Sequence, residues 1–249
     1  MTENRDNRSG VLPLSGMLQA EVARPQTSAA AAIYFGLFAA RIAASRPAQP
    51  FRLGLLGGTF DPVHHGHLLL AQAAYEQYAL DGVLFLLASR PVHKLDLKVS
   101  DPSLRVRMLK LALAGDERFD ISFTETAREG VTYTIDTLRQ IQGIAADHAR
   151  LFFIVGSDSL RDMPTWKNAK AIGQMVQVLY GRRPGSDAEI SNNPLLEQYF
   201  DVAPVEMPQI LISSSGLRQR AADGLTLRYL VPAVVADFVA AHVPYSKDA

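Results

Sequence analysis

From residue 51 onward, short apolar runs alternate with longer stretches of mixed polarity. Residues 52–56 form one such run and end in Gly57-Gly58, which predicts a buried strand followed by a turn. Residues 66–80 predict a helix and residues 83–88 a second buried strand. Asp101-Pro102-Ser103 opens another helix, with Asp101 as N-cap and Pro102 at the first helical position. Residues 119–123 alternate in polarity and predict a third strand, and residues 134–146 a helix. A fourth strand, 151–155, is apolar throughout and runs into Gly156-Ser157-Asp158. A fifth is predicted over 176–180 and a weaker one over 210–212, followed by a helix from about Ser214 and a last helix over about 232–241.

Strands alternating with helices predict an α/β protein built on a doubly wound parallel sheet, a single domain over residues 51–249. Ligands of such sheets sit at the carboxyl ends of the strands. Four unusual segments fall on that edge: 57–67, 89–94, 156–158 and 213–218.

The first fifty residues break this rhythm. Residues 1–10 are polar, and Pro25, Pro47 and Pro50 punctuate the remainder of the segment. Residues 27–44 are alanine-rich and suit a helix that docks on the domain or on a partner. Segment 1–50 is therefore expected to be an N-terminal extension, partly helical or disordered, without a catalytic role.

Composition excludes several classes. The chain has 249 residues, 48% of them hydrophobic, enough for one sizeable core. Lys+Arg and Asp+Glu both total 25, so the formal charge is zero and no nucleic-acid or membrane-surface binding is expected. The absence of cysteine excludes disulfides, thiolate catalysis and cysteine-ligated zinc. The longest apolar run, 29–40, ends at Arg41, short of the about 20 residues a bilayer span requires. The stretch before it carries mixed charge rather than a basic leader, so a cytoplasmic protein is expected. Oligomeric state is left open.

Chemistry concentrates in Gly57-Gly58-Thr59-Phe60-Asp61-Pro62-Val63-His64-His65-Gly66-His67. The paired glycines let the backbone turn sharply and approach a ligand. Three of the six histidines follow at a helix start, whose N–H groups and partial positive charge suit phosphate. His64 and His67 are three apart, so on a first turn they face one ligand. An imidazole donates a hydrogen bond to a phosphoryl oxygen in either charge state. A lone His-x-x-His is as readily structural, surface-exposed or metal-binding; clustering behind a Gly-Gly turn favours phosphate. No P-loop occurs, and Gly54-x-x-Gly57-Gly58 does not match the dinucleotide fingerprint. Ser213-Ser214-Ser215 heads another predicted helix and supplies hydroxyls and N–H groups, with Arg218 one turn on. Ordinary capping with a surface arginine accounts for that second pattern equally well.

The segment from Gly57 to His67 resembles the signature of the bacterial nicotinate-nucleotide adenylyltransferases, within the nucleotidyltransferase superfamily marked by His/Thr-x-Gly-His, here His64-His65-Gly66-His67. The superfamily's second mark, commonly Ile-Ser-Ser-Thr-x-Ile-Arg, resembles Ile212-Ser213-Ser214-Ser215-Gly216-Leu217-Arg218. Ser215 for Thr and Leu217 for Ile keep a hydroxyl and an aliphatic. The likeness spans about residues 52–243 and implies a Rossmann-like nucleotidyltransferase fold.

The resemblance implies ATP contacts from Gly57, Gly58, Thr59, Phe60, His64, Gly66, His67, Ser214, Ser215 and Arg218. Pro91-Val92-His93-Lys94 is similar to a family loop, in which Lys94 neutralises phosphate charge or is a plain solvated lysine. Gly156-Ser157-Asp158 resembles a segment that contacts adenosine, with helix capping as another role for Asp158. Arg182-Arg183 follows the fifth strand as in the family; one of the two, Arg182 by preference, is expected at ATP. For the acceptor, Thr132-Tyr133-Thr134 resembles Ser-Tyr-Thr, whose main-chain N–H groups near Tyr133 and Thr134 hold the nicotinate carboxylate. Met163-Pro164-Thr165-Trp166 resembles Phe/Leu-Pro-Thr-Trp, so that Trp166, the only tryptophan, stacks on the pyridine; by pattern alone it is a packing residue.

The implied reaction joins ATP and nicotinate mononucleotide to give deamido-NAD and pyrophosphate. Its nucleophile, a phosphate, is already an anion, so positioning and electrostatics are the task. His64, His67 and Arg218 are the expected catalytic residues, His67 nearest the reacting phosphorus, with Ser214, Ser215 and Arg218 on the β- and γ-phosphates. Mg²⁺ is expected mainly on phosphates and water, without a dedicated protein metal site. The superfamily core does not separate this acceptor from nicotinamide mononucleotide, phosphopantetheine or a sugar or alcohol phosphate. Tyr133, Thr134 and Trp166 favour the pyridine, and the full match over Gly57 to His67 favours the acid. The rival from another class is a nucleotide-binding regulator without catalysis, against which the intact His64, His67 and Arg218 speak.

Overall fold

The computed structural model describes residues 34–88, 99–125, 131–182, 192–243 and 245. Its strands are β1 (Phe51–Gly58), β2 (Gly82–Leu87), β3 (Phe119–Ser122), β4 (Ala149–Gly156), β5 (Gln177–Gly181) and β6 (Val202–Val205). Its α-helices are α1 (Ala39–Ala44), α2 (His65–Gln77), α3 (Pro102–Leu113), α4 (Thr134–Ala145), α5 (Ser157–Asp162), α6 (Ala169–Met175), α7 (Pro194–Tyr199), α8 (Ser214–Ala222) and α9 (Ala233–His242). The strands form one sheet in the order β3-β2-β1-β4-β5-β6, every neighbouring pair parallel. This is the doubly wound sheet that the alternation of apolar runs predicts. Strand order reverses between β1 and β4, so the crevice for ligands opens where Gly57-Gly58 and Gly156 end adjacent strands.

Strands β1, β2, β4 and β5 bury most of both faces, which is why their runs read as continuously apolar. Leu53, Leu55, Leu151, Phe153 and Val178 point into one layer, beneath α1, α4, α6 and α7. Leu56, Phe152, Ile154 and Leu179 point into the other, beneath α2, α3, α8 and α9. Full burial of each such side chain contributes about 1.5–3 kcal/mol.

Of segment 1–50, the described part packs against the sheet. Phe35, Phe38 and Ile42 are buried in the same layer as Phe51 and Leu53. The Phe38 ring lies 5.7 Å from that of Phe51, and a Cβ at Gly82 would meet it at 2.5 Å. The Leu37 N–H donates to Asp120 Oδ2 at 2.7 Å.

Two elements differ from the expectation. Residues 210–212 form no strand, and Leu211 is 89% exposed: apolar type alone does not make a strand without a partner. The sixth strand is Val202–Val205, which pairs with β5 at the sheet edge, where Pro204 is tolerated.

Candidate active site

The loop after β1 is built around one ring. Phe60, at a positive φ of 50° that costs a non-glycine residue strain, is buried edge-on to His67 at 5.0 Å and 5.4 Å from Phe85. A Cβ at Gly58 would meet that ring at 2.8 Å, so the second glycine is there to let Phe60 fold back. His64 then takes an extended conformation as N-cap of α2, and the His64 N–H donates to His67 Nδ1 at 3.3 Å. The two imidazoles stack at 3.7 Å, 19° from parallel. With Nδ1 accepting, the proton of a neutral His67 belongs on Nε2, which makes that nitrogen a donor. His64 is buried and His67 half-buried at a helix N-terminus, where the backbone adds partial positive charge.

The serine segment joins this loop on the same face of the sheet. Ser213 caps α8, its Oγ accepting from Gly216 N–H at 3.1 Å. The Ser214 hydroxyl donates to the Pro62 carbonyl at 3.0 Å, and Arg218 Nη1 donates to the Asp61 carbonyl at 2.9 Å. The single hydroxyl proton of Ser214 is thereby committed to the loop, whereas Arg218 commits one of its five donor hydrogens. Ser215 is exposed, its hydroxyl 3.2 Å from that of Ser213.

The acceptor segments come together beside β4. Phe153 stands between the two sides: a Cβ at Gly57 would lie 3.2 Å from its ring, and Trp166 meets it edge-on at 6.1 Å. Trp166 is half-buried against the layer that contains Phe153 and Met163. Tyr133 is the N-cap of α4, and the Lys167 ammonium sits 3.9 Å from its ring centroid and 3.9 Å from Asp136 Oδ2. The Thr132 and Thr137 hydroxyls donate to the two oxygens of Glu125 at 3.1 and 3.0 Å, clamping the start of α4.

Lys94, with Pro91 to His93, falls outside the described residues. Arg182 pairs with Glu206 at 2.7 Å, two strands from β1. Gly156, not Asp158, is the N-cap of α5; Asp158 is exposed in the first turn and pairs with Arg161 at 2.9 Å. Beside Gly156 a Cβ would meet nothing within 4 Å, which leaves the crevice open there.

Arg105 is the contributor that the sequence reading missed. It is 1% exposed, on the apolar face of α3 beside Met108 and Leu109. Its guanidinium donates to the carbonyls of Ser100, Thr59 and Ala88 at 2.9, 3.1 and 2.7 Å, tying the ends of β1 and β2 together. Burial lowers its pKa from the ordinary arginine value, and the Asp61 and Asp101 carboxylates oppose that shift. A charge at helical spacing with two apolar residues was the signal available for it.

The chain is similar to known proteins. Residues 55–220 match the cytidylyltransferase-like family model. A protein of Thermomicrobium roseum named "Probable nicotinate-nucleotide adenylyltransferase" is 39% identical over 198 residues, covering 78% of this chain and 91% of that one. A Thermus thermophilus protein of the same name is 40% identical, covering 78% of this chain and 99% of its own. Among solved structures, the Plasmodium falciparum nicotinic acid mononucleotide adenylyltransferase complexed with NaAD superposes with a TM-score of 0.62 at 15% identity, covering 76% and 94% of the two chains, a likeness of fold. The fold, the histidine pair at the strand-order reversal and these relatives agree: the chain belongs to the nicotinate-nucleotide adenylyltransferases, within the cytidylyltransferase-like family.

Proposed function

We propose that the chain transfers the adenylyl group of ATP to nicotinate mononucleotide, with His64, His67 and Arg218 acting on the phosphates. An acceptor phosphate oxygen bonds to the α-phosphorus while the bond from that phosphorus to the bridging oxygen breaks, and pyrophosphate leaves. The observation that carries this is the His64–His67 stack at the head of α2, with Nε2 of His67 as donor. That nitrogen donates to a phosphoryl oxygen as charge builds on it, a preorganised contact that needs no reorganisation. Arg218 and the first N–H groups of α8 hold the departing phosphates. Gly57, Gly58, Thr59, Phe60 and Gly66 shape the floor, and Gly156 and Asp158 border the adenosine. Ser215 and, on family resemblance alone, Lys94 are assigned to the phosphates; Arg182 reaches ATP only by leaving its ion pair with Glu206.

The donor set of the loop fits Mg²⁺ carried by the nucleotide. Both Asp61 oxygens already accept hydrogen bonds, from Ser100 N–H and the Tyr245 hydroxyl, so the loop holds that carboxylate away from an ion. Such an ion would be held through phosphates and water and would supply charge neutralisation for the leaving pyrophosphate.

On the acceptor side, Trp166 stacks on the pyridine, and the N–H groups near Tyr133 and Thr134 hold its carboxylate. The Lys167 ammonium over Tyr133 supports the acid over the amide: it supplies positive charge and offsets Asp136. Among the described residues no helix is long and apolar enough to cross a membrane, and a cytoplasmic location suits these substrates. A pyrophosphate-release assay with ATP and each candidate acceptor tests the proposal. Release with nicotinate mononucleotide supports it; ATP binding without release for any acceptor favours a nucleotide-binding regulator.

A further inference from the structure

The loop between β1 and α2 has a fixture that the reaction itself does not call for. Asp61 is fully buried, yet it faces the phosphate side only through its main-chain carbonyl, the acceptor for Arg218. Its carboxylate points the other way, into the junction where residues preceding α3 meet the segment following α9. There Oδ2 accepts from Ser100 N–H at 2.9 Å and Oδ1 from the Tyr245 hydroxyl at 2.8 Å. The Tyr245 ring packs against the layer under α3 and α9. Arg105 stands in the same junction and binds the Ser100 and Thr59 carbonyls. Burial, together with the charge of Asp61 and its hydrogen bond, raises the Tyr245 pKa far above the ordinary phenol value, so the hydroxyl remains a donor throughout the working pH range.

We infer that Tyr245 is a positioning residue for catalysis: its hydroxyl anchors the Asp61 carboxylate and thereby sets the carbonyls of Asp61 and Pro62 that hold Arg218 and Ser214. Two bonds to the carboxylate and one to the carbonyl hold the buried Asp61 at both ends, so loss of the Tyr245 bond frees the residue, and the carbonyl with it, to shift. A displaced carbonyl releases Arg218 from the orientation in which its remaining donors meet the leaving phosphates. The bond is directed at a carboxylate, and such bonds are stronger than neutral ones. The segment beyond α9 thus completes a site whose visible motifs lie far from it in the chain. The inference rests on the phosphate role of Arg218.

Four variants test it: Tyr245→Phe, Arg218→Lys, the pair combined and Tyr78→Phe, each assayed for kcat, KM for ATP and melting temperature. Tyr245→Phe is expected to lower kcat about tenfold, the size of losing one charge-assisted bond that acts in the transition state. KM for ATP should move less than about twofold, because binding groups are retained. In the Arg218→Lys background the same change should cost less than about twofold, since the latch acts through Arg218. Tyr78→Phe removes another phenol bond, to the Pro204 carbonyl on the far side of α2, and should leave kcat unchanged. Amide exchange over residues 59–67 should quicken in Tyr245→Phe and nowhere else, a readout that does not depend on turnover. The latch is overturned if Tyr245→Phe keeps full kcat, if it costs the same factor in both backgrounds, or if Tyr78→Phe is equally impaired. Full activity in Arg218→Lys alone would instead remove the phosphate assignment on which the latch rests.

Discussion

The two halves of the crevice are built by different means. On the phosphate side, donors meet backbone carbonyls: Arg218 on Asp61, Ser214 on Pro62, and Arg105 on Thr59 and Ala88. The same residue types that bind phosphate also hold the loop, so its shape is specified by directional bonds in a buried setting. On the acceptor side, rings and exposed charges dominate: Trp166 on Phe153, Lys167 over Tyr133, and Asp136 shared between Lys167 and Arg139. Stacking and solvent-screened charge are tolerant of small shifts. A rigid donor half suits a reaction whose barrier depends on phosphate positioning, and a softer half suits selection of one pyridine over another.

The largest expected effect breaks the rigid half. Arg105→Met removes the donors to three carbonyls and a nearby charge that attracts Asp61, which should cost about 3–5 kcal/mol of folding stability in denaturant unfolding. A loss under about 1 kcal/mol, the size of one ordinary hydrogen bond, would show that this guanidinium does not hold the loop. His67→Ala removes one preorganised donor and should lower kcat about 10²–10³-fold while the chain still folds, at a melting temperature a few degrees lower for the lost cap. Unchanged turnover would end its assignment.

The softer half should respond through binding. Trp166→Ala is expected to raise KM for nicotinate mononucleotide about tenfold, the loss of one stacked ring, with little change in KM for ATP. Equal changes in both constants would mean that Trp166 is a packing residue. The smallest expected effect is the most selective. Lys167→Met should reduce the acid-to-amide preference, as the ratio of kcat/KM values, about three- to fivefold, because the charge is half-exposed and screened. An unchanged ratio would leave discrimination to main-chain groups alone.

This contrast also explains what could be read from residues in order. Strands buried on both faces announce themselves as apolar runs, and β1, β2, β4 and β5 are legible for that reason. The edge strand β6, with Pro204 in it, carries no such run, and the apolar residues 210–212 lie on the surface instead. His64, His67, Ser214 and Arg218 are legible because glycines and helix starts surround them. That Ser214 and Arg218 grip the Asp61 and Pro62 carbonyls is not, since those bonds join residues more than 150 positions apart. Tyr245 and Lys167 carry no local pattern at all; only the fold brings them to Asp61 and Tyr133.

An equal mixture of nicotinate mononucleotide and nicotinamide mononucleotide, supplied with limiting ATP and resolved by product, tests the central claim most directly. Deamido-NAD should form in excess, with pyrophosphate released in step. Excess NAD, or pyrophosphate without either dinucleotide, would contradict the account.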